Sequence, residues 1–510
     1  MSQRLIESLQ NPALYDHPVD QFELLETHIS WVILTGRYAY KIKKPHNFGF
    51  LDFSTLEKRH HYCQEELRLN RRLAPDLYLE LIPIGGSETA PELDVAAQDA
   101  FEFAIKMVQF PQSELAEALL KRGEFTTQSF AEIAEAVAGF HQKIAVADEQ
   151  TEWGRAETVM APVQQNFNQI RSLLNERDDL DQLAFLESWA QDSYQRLQEL
   201  LTMRKQAGYI RECHGDLHLG NITRFNGKIT LFDCIEFNES FRWIDCLNDA
   251  AFLVMDLEHR QLRHFANAFI NRYLELTGDY RGMALMGFYK SYRALVRAKV
   301  TLFSLFGDQV TDQQRTQAFE QYRSYADLAE SYTQVKVPKL VLMHGYSGSG
   351  KSWLSSRILE ITGAIRLRSD VERKRLFDPN SKTLYSLETS QQTFDHLQSL
   401  TRDLLQSGYD VIVDATFLKQ RDRAPFIHLA EILGIPYFIL CCQADDQLIR
   451  QRLNQRQQDH RDISDADVEV YELQRAAGSN FNDQELPFCI QIDTSQQQQV
   501  EALLQKLSHE

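Results

Sequence analysis

The stretch "GYSGSGKS", Gly345 to Ser352, constrains this chain more than any other. It fits G-x-x-x-x-G-K-[ST] at every position and stands between an apolar run, "KLVLMHG", and a segment of helical character. Such a loop needs a strand feeding it and a helix leaving it, because its backbone N–H groups wrap a phosphate at the helix N-terminus. Gly345, Ser347, Gly348, Ser349 and Gly350 are the candidate cradle, Lys351 the cation for the β/γ oxygens and Ser352 the hydroxyl for Mg²⁺. The surroundings agree: "KLVLMHG", "IRLRSD", "DVIVDAT" and "PYFILCC" each precede a helical stretch, which predicts βαβ units and a parallel sheet over 336–510. Asp414 ends the third of these strands, where a carboxylate can hold Mg²⁺ through water.

That α/β unit leaves most of the chain unexplained. At 510 residues the length exceeds one ordinary core of roughly 150 residues, and Pro338 is the expected boundary. A charge of −18 and a pI near 5.4 argue against a general nucleic-acid binder and favour small substrates, although a local basic groove can sit within an acidic whole. Seven cysteines without CxxC spacing argue against a disulfide scaffold and against a zinc site; Cys441 and Cys442 read as buried strand thiols. The start "MSQRLIESLQ" has no apolar h-region, and no apolar run approaches the roughly 20 residues of a membrane span. A cytoplasmic protein without a membrane segment is expected, and oligomeric state is left open.

The first half alternates like strands in "ISWVILTG" and "RYAYKIKKP", with a hairpin at Thr35-Gly36. Helical spacing follows in "LEKRHHYCQEELRLNRRLA", and a strand, "FEFAIKMVQFP", stops at Pro111. From Ser113 to Lys205 the pattern is helical, with Phe130, Ile133, Val137, Phe140 and Ile144 on one stripe. Strands "YIREC" and "KITLFDCIEF" then bracket "HGDLHLGNI", residues 214 to 222, before helices resume and a connecting helix occupies the stretch from Asp308 to Val337. Phosphoryl transfer needs a positioned hydroxyl and a neutralising metal. Asp216 is of the type to accept or orient the hydroxyl proton, and Asn221 and Asp233 are of the type to hold the metal. The competing reading makes these residues a satisfied polar network in the core.

"HGDLHLGNI" resembles the catalytic loop HGDLHxxN of the aminoglycoside phosphotransferase and choline kinase branch of the protein-kinase-like fold, matching at His214, Gly215, Asp216, Leu217, His218 and Asn221. The resemblance implies a bilobal α+β domain over 1–335, with an N-lobe to about 112 and a C-lobe over 113–335. It also implies a lysine on an N-terminal strand and a glutamate on the following helix. Lys41 and Glu66 fit, with Lys43 on the same strand face as rival. The strand "FEFAIKMVQFP" would be the hinge, holding adenine through main-chain groups near Met107 to Gln109. Two departures stand out. "ETHIS" occupies the place of a glycine-rich loop, and "FDCIEFN" puts Glu236 where a small residue is usual, as a metal ligand, a substrate contact or a partner of Arg242.

The second half resembles P-loop kinases of the zeta-toxin, polynucleotide kinase and gluconate kinase type. In "RLRSDVERKRLF" the resemblance makes Asp370 the base, with Arg373 near an anionic part of the acceptor; a helix cap is the alternative for Asp370. "RQRLNQRQQDHRDISDADVEVYELQ" is similar to the lid of those kinases. Arg452 and Arg456, four apart on one helix face, would reach the transferring phosphoryl group, unless they form a solvated face. The order of the halves resembles bacterial proteins described as bifunctional, an aminoglycoside phosphotransferase-like domain followed by a P-loop (AAA) ATP-binding kinase domain. That implies an ATP- (or GTP-) and Mg²⁺-dependent phosphotransferase with two potential active sites acting on a hydroxyl of a small molecule. The alternative is a polynucleotide or toxin-like kinase, with nucleic acid reaching only the second domain and the first serving as a non-catalytic sensor.

Overall fold

A computed structural model describes residues 3–47, 49, 51–306, 310–459, 466–478 and 480–508. Its first compact unit comprises residues 1–126, 139–165 and 194–256, and its second 127–138, 166–193 and 257–510. The topological change expected at Pro338 therefore lies inside the second unit, which also takes in C-lobe helices.

The first unit begins with a six-stranded antiparallel sheet of β1 (Glu23–Glu26), β2 (Ser30–Leu34), β3 (Tyr38–Lys43), β4 (Tyr78–Ser87), β5 (Ala90–Leu93) and β6 (Glu102–Val108), in the order β1-β2-β3-β6-β4-β5. The sequence reading anticipated β2, β3 and β6. It passed over β1, β4 and β5, whose polar residues and "GGSETAP" turn blur the alternation. Between β3 and β4 runs the helix Leu56–Asn70, started by Thr55, whose hydroxyl accepts the Lys58 N–H. Cys63, Leu77, Phe103 and Ile105 are buried in the cluster this helix covers, while Ile33, Ile42, Ile84 and Leu5 fill the other face of the sheet.

Two small antiparallel ribbons follow: β7 (Ile210–Glu212) pairs with β10 (Trp243–Asp245), and β8 (Ile222–Phe225) with β9 (Lys228–Leu231). "HGDLHLGNI" spans the turn from β7 into β8, and Asp233 stands two residues beyond the end of β9. The stripe Phe130, Ile133, Val137 and Phe140 is buried on the helix Thr127–Lys143, as its spacing requires, and Ile144 is buried just beyond the helix end.

The second unit carries a five-stranded parallel sheet of β11 (Leu340–His344), β12 (Ile365–Arg368), β13 (Val411–Asp414), β14 (Tyr437–Gln443) and β15 (Cys489–Asp493), ordered β12-β13-β11-β14-β15. Four of these strands were anticipated. β15, "CIQID", was not anticipated. The helix Arg263–Thr277 packs on this sheet through polar contacts. The Arg366 guanidinium donates to Glu275 (3.1 and 2.7 Å), the Arg366 N–H donates to Asn271 (2.8 Å), and Asn271 in turn donates to the Ala364 carbonyl (3.1 Å). The expected connecting helix is Asp312–Ser331, opened by a capping box of Thr311 and Gln314. Among the described residues no helix is long and apolar enough to cross a membrane.

Candidate active sites

In the first unit, β3 alternates its side chains so that Lys41 and Lys43 share a face opposite the helix Leu56–Asn70. Both reach Glu66: Lys41 Nζ lies 2.8 Å from Oε1, and Lys43 Nζ 2.5 Å from Oε2. The two lysines differ in what each meets next. Lys41 also meets Asp233 (2.6 Å), whose side chain is 40% exposed, whereas Lys43 is sealed in and pairs with Glu236. Lys41 thus faces the open side of the site, and Lys43 with Glu236 forms the floor. Burial alone would raise the Glu66 carboxyl, but the two ammonium groups hold it down at about 2. Burial opposes charge on Lys41 too, and Asp233 and Glu66 keep its ammonium well above the ordinary lysine range. The Glu236 carboxylate pairs with Lys43, a partner outside the three roles open for it, while Arg242 donates to its backbone carbonyl.

The catalytic-loop candidates come together next to this cluster. Gly215 adopts a left-handed backbone (φ 86°), and a Cβ there would stand 2.8 Å from the Phe241 carbonyl, so only glycine fits. The Asn221 amide donates to the carbonyl (2.9 Å) and side chain (3.2 Å) of Asp216, and His218 Nε2 lies 3.4 Å from the same carboxylate. His214 is tied by its ring Nε2 to the Phe232 carbonyl (2.9 Å), which fixes the loop against the chain entering Asp233.

Two further carboxylates, which the sequence reading missed, hold the loop from behind. Asp249 accepts the N–H groups of His214 (3.0 Å) and Gly215 (2.9 Å), and Asp256 accepts that of Leu219 (3.0 Å). They stand seven apart on the apolar helix Cys246–His259, one face of two turns, and that spacing inside "CLNDAAFLVMDLEH" is the signal.

The glycine-free "ETHIS" turn closes on itself: Thr27 Oγ accepts from Ser30 N–H (2.9 Å), and Lys44 Nζ donates to Glu26 and to the Thr27 carbonyl. At the expected hinge, the Val108 and Gln109 N–H groups donate to Leu77 (2.9 Å) and Arg37 (3.0 Å), and Met107 is locked in the sheet between Ala39 and Tyr78. The main-chain donors at 108 and 109 are therefore committed within the fold.

In the second unit, Gly345 (φ 146°) leaves β11, and a Cβ there would meet the Cys442 carbonyl at 2.5 Å. The loop continues into the helix Lys351–Thr362, as the motif requires. Lys351 Nζ donates to the Gly345 and Tyr346 carbonyls (2.9 Å each), and burial lowers its ammonium below the ordinary range. A cavity of about 630 Å³ is lined by Ser347, Gly348, Gly350, Lys351, Ser352, Asp370, Arg373, Asp414, Arg452 and Arg456 together, so it gathers the candidate residues of this half except Gly345 and Ser349. Asp414 is buried, 3.3 Å from the Ser355 hydroxyl. The Arg373 guanidinium lies over the Tyr385 ring and 3.5 Å from Asp370; its Nε is buried with no hydrogen-bond partner among the described residues.

Arg452 donates to the Gly348 carbonyl (3.3 Å) and to Thr494 (3.2 Å), so it braces the phosphate loop as well as lining the cavity. Residues 460–465 of the expected lid lie outside the described residues. Gln474 beyond them grips Ser347 with both ends of its amide (2.9 and 3.1 Å), and Thr494 donates to the Ser349 carbonyl (2.8 Å). Both were missed by sequence reasoning, since single Gln and Thr residues 127 and 145 positions from their partners give no local signal.

The family model of the AAA domain matches residues 340–479, and that of the phosphotransferase enzyme family matches residues 64–286. Rv2004c of Mycobacterium tuberculosis is 30% identical over 427 residues, covering 80% of this chain and 81% of the relative; Mb2027c of Mycobacterium bovis matches equally. A choline/ethanolamine kinase family protein from Mesorhizobium loti (15% identity, TM-score 0.40) covers 64% of this chain and 96% of its own. The amicoumacin kinase hAmiN, solved with AMP-PNP, Ca²⁺ and its namesake, covers 64% and 94% (13% identity, TM-score 0.42). The Mycobacterium tuberculosis APS kinase CysC, solved with AMPPNP and APS, covers 34% and 98% (20% identity, TM-score 0.26).

Proposed function

Because the chain belongs to the family of Rv2004c and joins a phosphotransferase-enzyme domain to an AAA-type P-loop domain, we propose that it is a cytoplasmic, ATP- and Mg²⁺-dependent phosphotransferase with two active sites, each acting on a hydroxyl of a small molecule. The observation that supports this reading is that each unit gathers, from positions distant in sequence, a lysine and carboxylates of the types phosphoryl transfer requires.

In the first site Glu66 fixes the Lys41 ammonium where it meets the phosphates, and Asp216 takes the proton of the acceptor hydroxyl while Asn221 and His218 orient its carboxylate. Two lysines against Glu66, Asp233 and Glu236 leave one negative charge in excess, and Asp216 adds another, so the donor set fits a divalent cation. Asn221 and Asp233 would hold it. In the second site Lys351 meets the β/γ oxygens, Asp370 accepts the hydroxyl proton and Arg452 and Arg456 lie against the transferring group. Ser352 and Asp414 would hold the cation there, which offsets charge on the phosphate oxygens. The unsatisfied Nε of Arg373 favours an acceptor with an anionic substituent beside its hydroxyl.

The test is transfer of labelled γ-phosphate from ATP to acceptors in a metabolite extract, by the wild type and by Asp216→Asn and Lys351→Ala. Each variant is expected to lose one set of labelled products and keep the other. If Asp216→Asn changes nothing while Lys351→Ala abolishes all transfer, the two-site reading fails and the first domain is a sensor.

A further inference from the structure

Cysteines without metal-ligand spacing in the sequence are gathered by the fold. Cys213 immediately precedes the catalytic loop, Cys246 opens the helix Cys246–His259, and His141 lies near the end of the helix Thr127–Lys143. One ligand atom from each lies within 4.8 Å of the other two, and all three side chains are buried. We propose that His141, Cys213 and Cys246 form a zinc site of three protein ligands that pins the catalytic loop.

Thiols alone would be ordinary small hydrophobes here, since Phe140, Ile144, Leu73 and Ile244 pack around them. An imidazole delivered to two sulfurs in that apolar setting is harder to explain by packing. Asp249 sits 3.0 Å from His141 Nε2, the carboxylate–histidine contact that orients and sharpens a metal-bound ring, so coordination falls to Nδ1. The ligand types suit Zn²⁺, which takes Cys sulfur and His nitrogen; three protein ligands leave the fourth tetrahedral position to a water. Charge also balances: Zn²⁺ with two thiolates and a neutral imidazole is neutral overall, as burial demands. Binding releases the two thiol protons, and no electron is transferred.

The site's place gives it a consequence. Asp249, which touches His141, is the same carboxylate that accepts the His214 and Gly215 N–H groups. An ion would therefore join three segments that fix the backbone leading to Asp216. This inference is independent of whether either site transfers phosphate.

The test uses the full chain, purified without chelator from zinc-supplemented medium, with metal content measured by mass spectrometry and cobalt exchanged in afterwards. One zinc per chain is expected, with thiolate-to-cobalt charge-transfer absorption that disappears in Cys213→Ser and Cys246→Ser and persists in Cys489→Ser. Wild type lacking stoichiometric zinc, cobalt protein lacking thiolate bands, or bands that survive Cys213→Ser would each overturn the proposal. So would a Cys213–Cys246 disulfide found by peptide mapping. If the serine variants do not fold, the wild-type cobalt spectrum and metal count still decide it.

Discussion

At the scale of single residues, the decisive feature of the first unit is a chain of charges, Asp233–Lys41–Glu66–Lys43–Glu236, in which only the first member is appreciably exposed. Removing one partner from a buried pair leaves an uncompensated charge, which costs about 3–5 kcal/mol. Lys43→Met is therefore expected to lower the urea midpoint strongly, and Lys43→Met combined with Glu236→Gln to recover part of the loss. Lys41→Met faces the partly exposed Asp233, so phosphate transfer at the first site should fall more than stability does. Equal stability losses in the two single variants would contradict this division of labour.

His344, the last residue of β11, offers a second residue-scale outcome. Burial, then Arg423 and Lys351, hold its imidazole down at about 4 from the ordinary 6.5. The unfolded chain thus binds a proton that the folded chain refuses as pH falls from 6.5 to 4, so this group removes stability across that window and none above it. Urea midpoints measured over the window should fall more steeply for the wild type than for His344→Gln. Parallel curves would mean that the imidazole is not protected.

At the scale of elements, motif and fold contribute differently. Lys351, Ser352, Asp216 and Asn221 were legible because the chemistry requires them at fixed spacing in one loop, and a loop is local. Lys41 could not be told from Lys43 in the sequence, because two residues on one strand face differ only in which carboxylate lies across from each. Asp249, Gln474 and Thr494 were illegible for a related reason: each acts through a backbone contact that exists only once distant elements pack.

The helix Arg263–Thr277 shows the same principle with a measurable result. Arg366 spans from its Glu275 to the carbonyl of Ser352 (3.2 Å) and the hydroxyl of Ser355 (3.2 Å), so a C-lobe helix supports the start of the phosphate-binding helix. Glu275→Ala leaves a buried guanidinium half unpaired, a loss of about 3–5 kcal/mol at most. It should also weaken nucleotide binding at the second site, seen as a smaller rise in melting temperature with an ATP analogue. A variant whose analogue-induced rise matches wild type would show that Arg366 positions Ser352 without help from Glu275.

At the scale of the whole molecule, two candidate phosphate-handling sites on unrelated scaffolds make nucleotide stoichiometry the sharpest measurement. The first candidate site offers a Lys–Glu pair beside a turn without glycine, the second a loop at a helix N-terminus whose main-chain N–H groups are of the kind that hold phosphate. Different grips imply different affinities, and a ligand present at 100 times its Kd stabilises its own site by about 2.7 kcal/mol. Equilibrium dialysis with a non-hydrolysable ATP analogue and Mg²⁺ should return two nucleotides per wild-type chain. Lys41→Met and Lys351→Ala should each return one, and the double variant none. A wild-type count of one, abolished by Lys351→Ala alone, would mean that the closed "ETHIS" turn leaves the first site unable to hold a nucleotide. Asp216 would then have to act on something other than ATP. The acidic whole bears on the remaining alternative: with a net charge of −18, the chain should not be retained on immobilised oligonucleotide at 150 mM salt. Salt-sensitive retention that Arg373→Ala removes would instead point the second site toward a polynucleotide end.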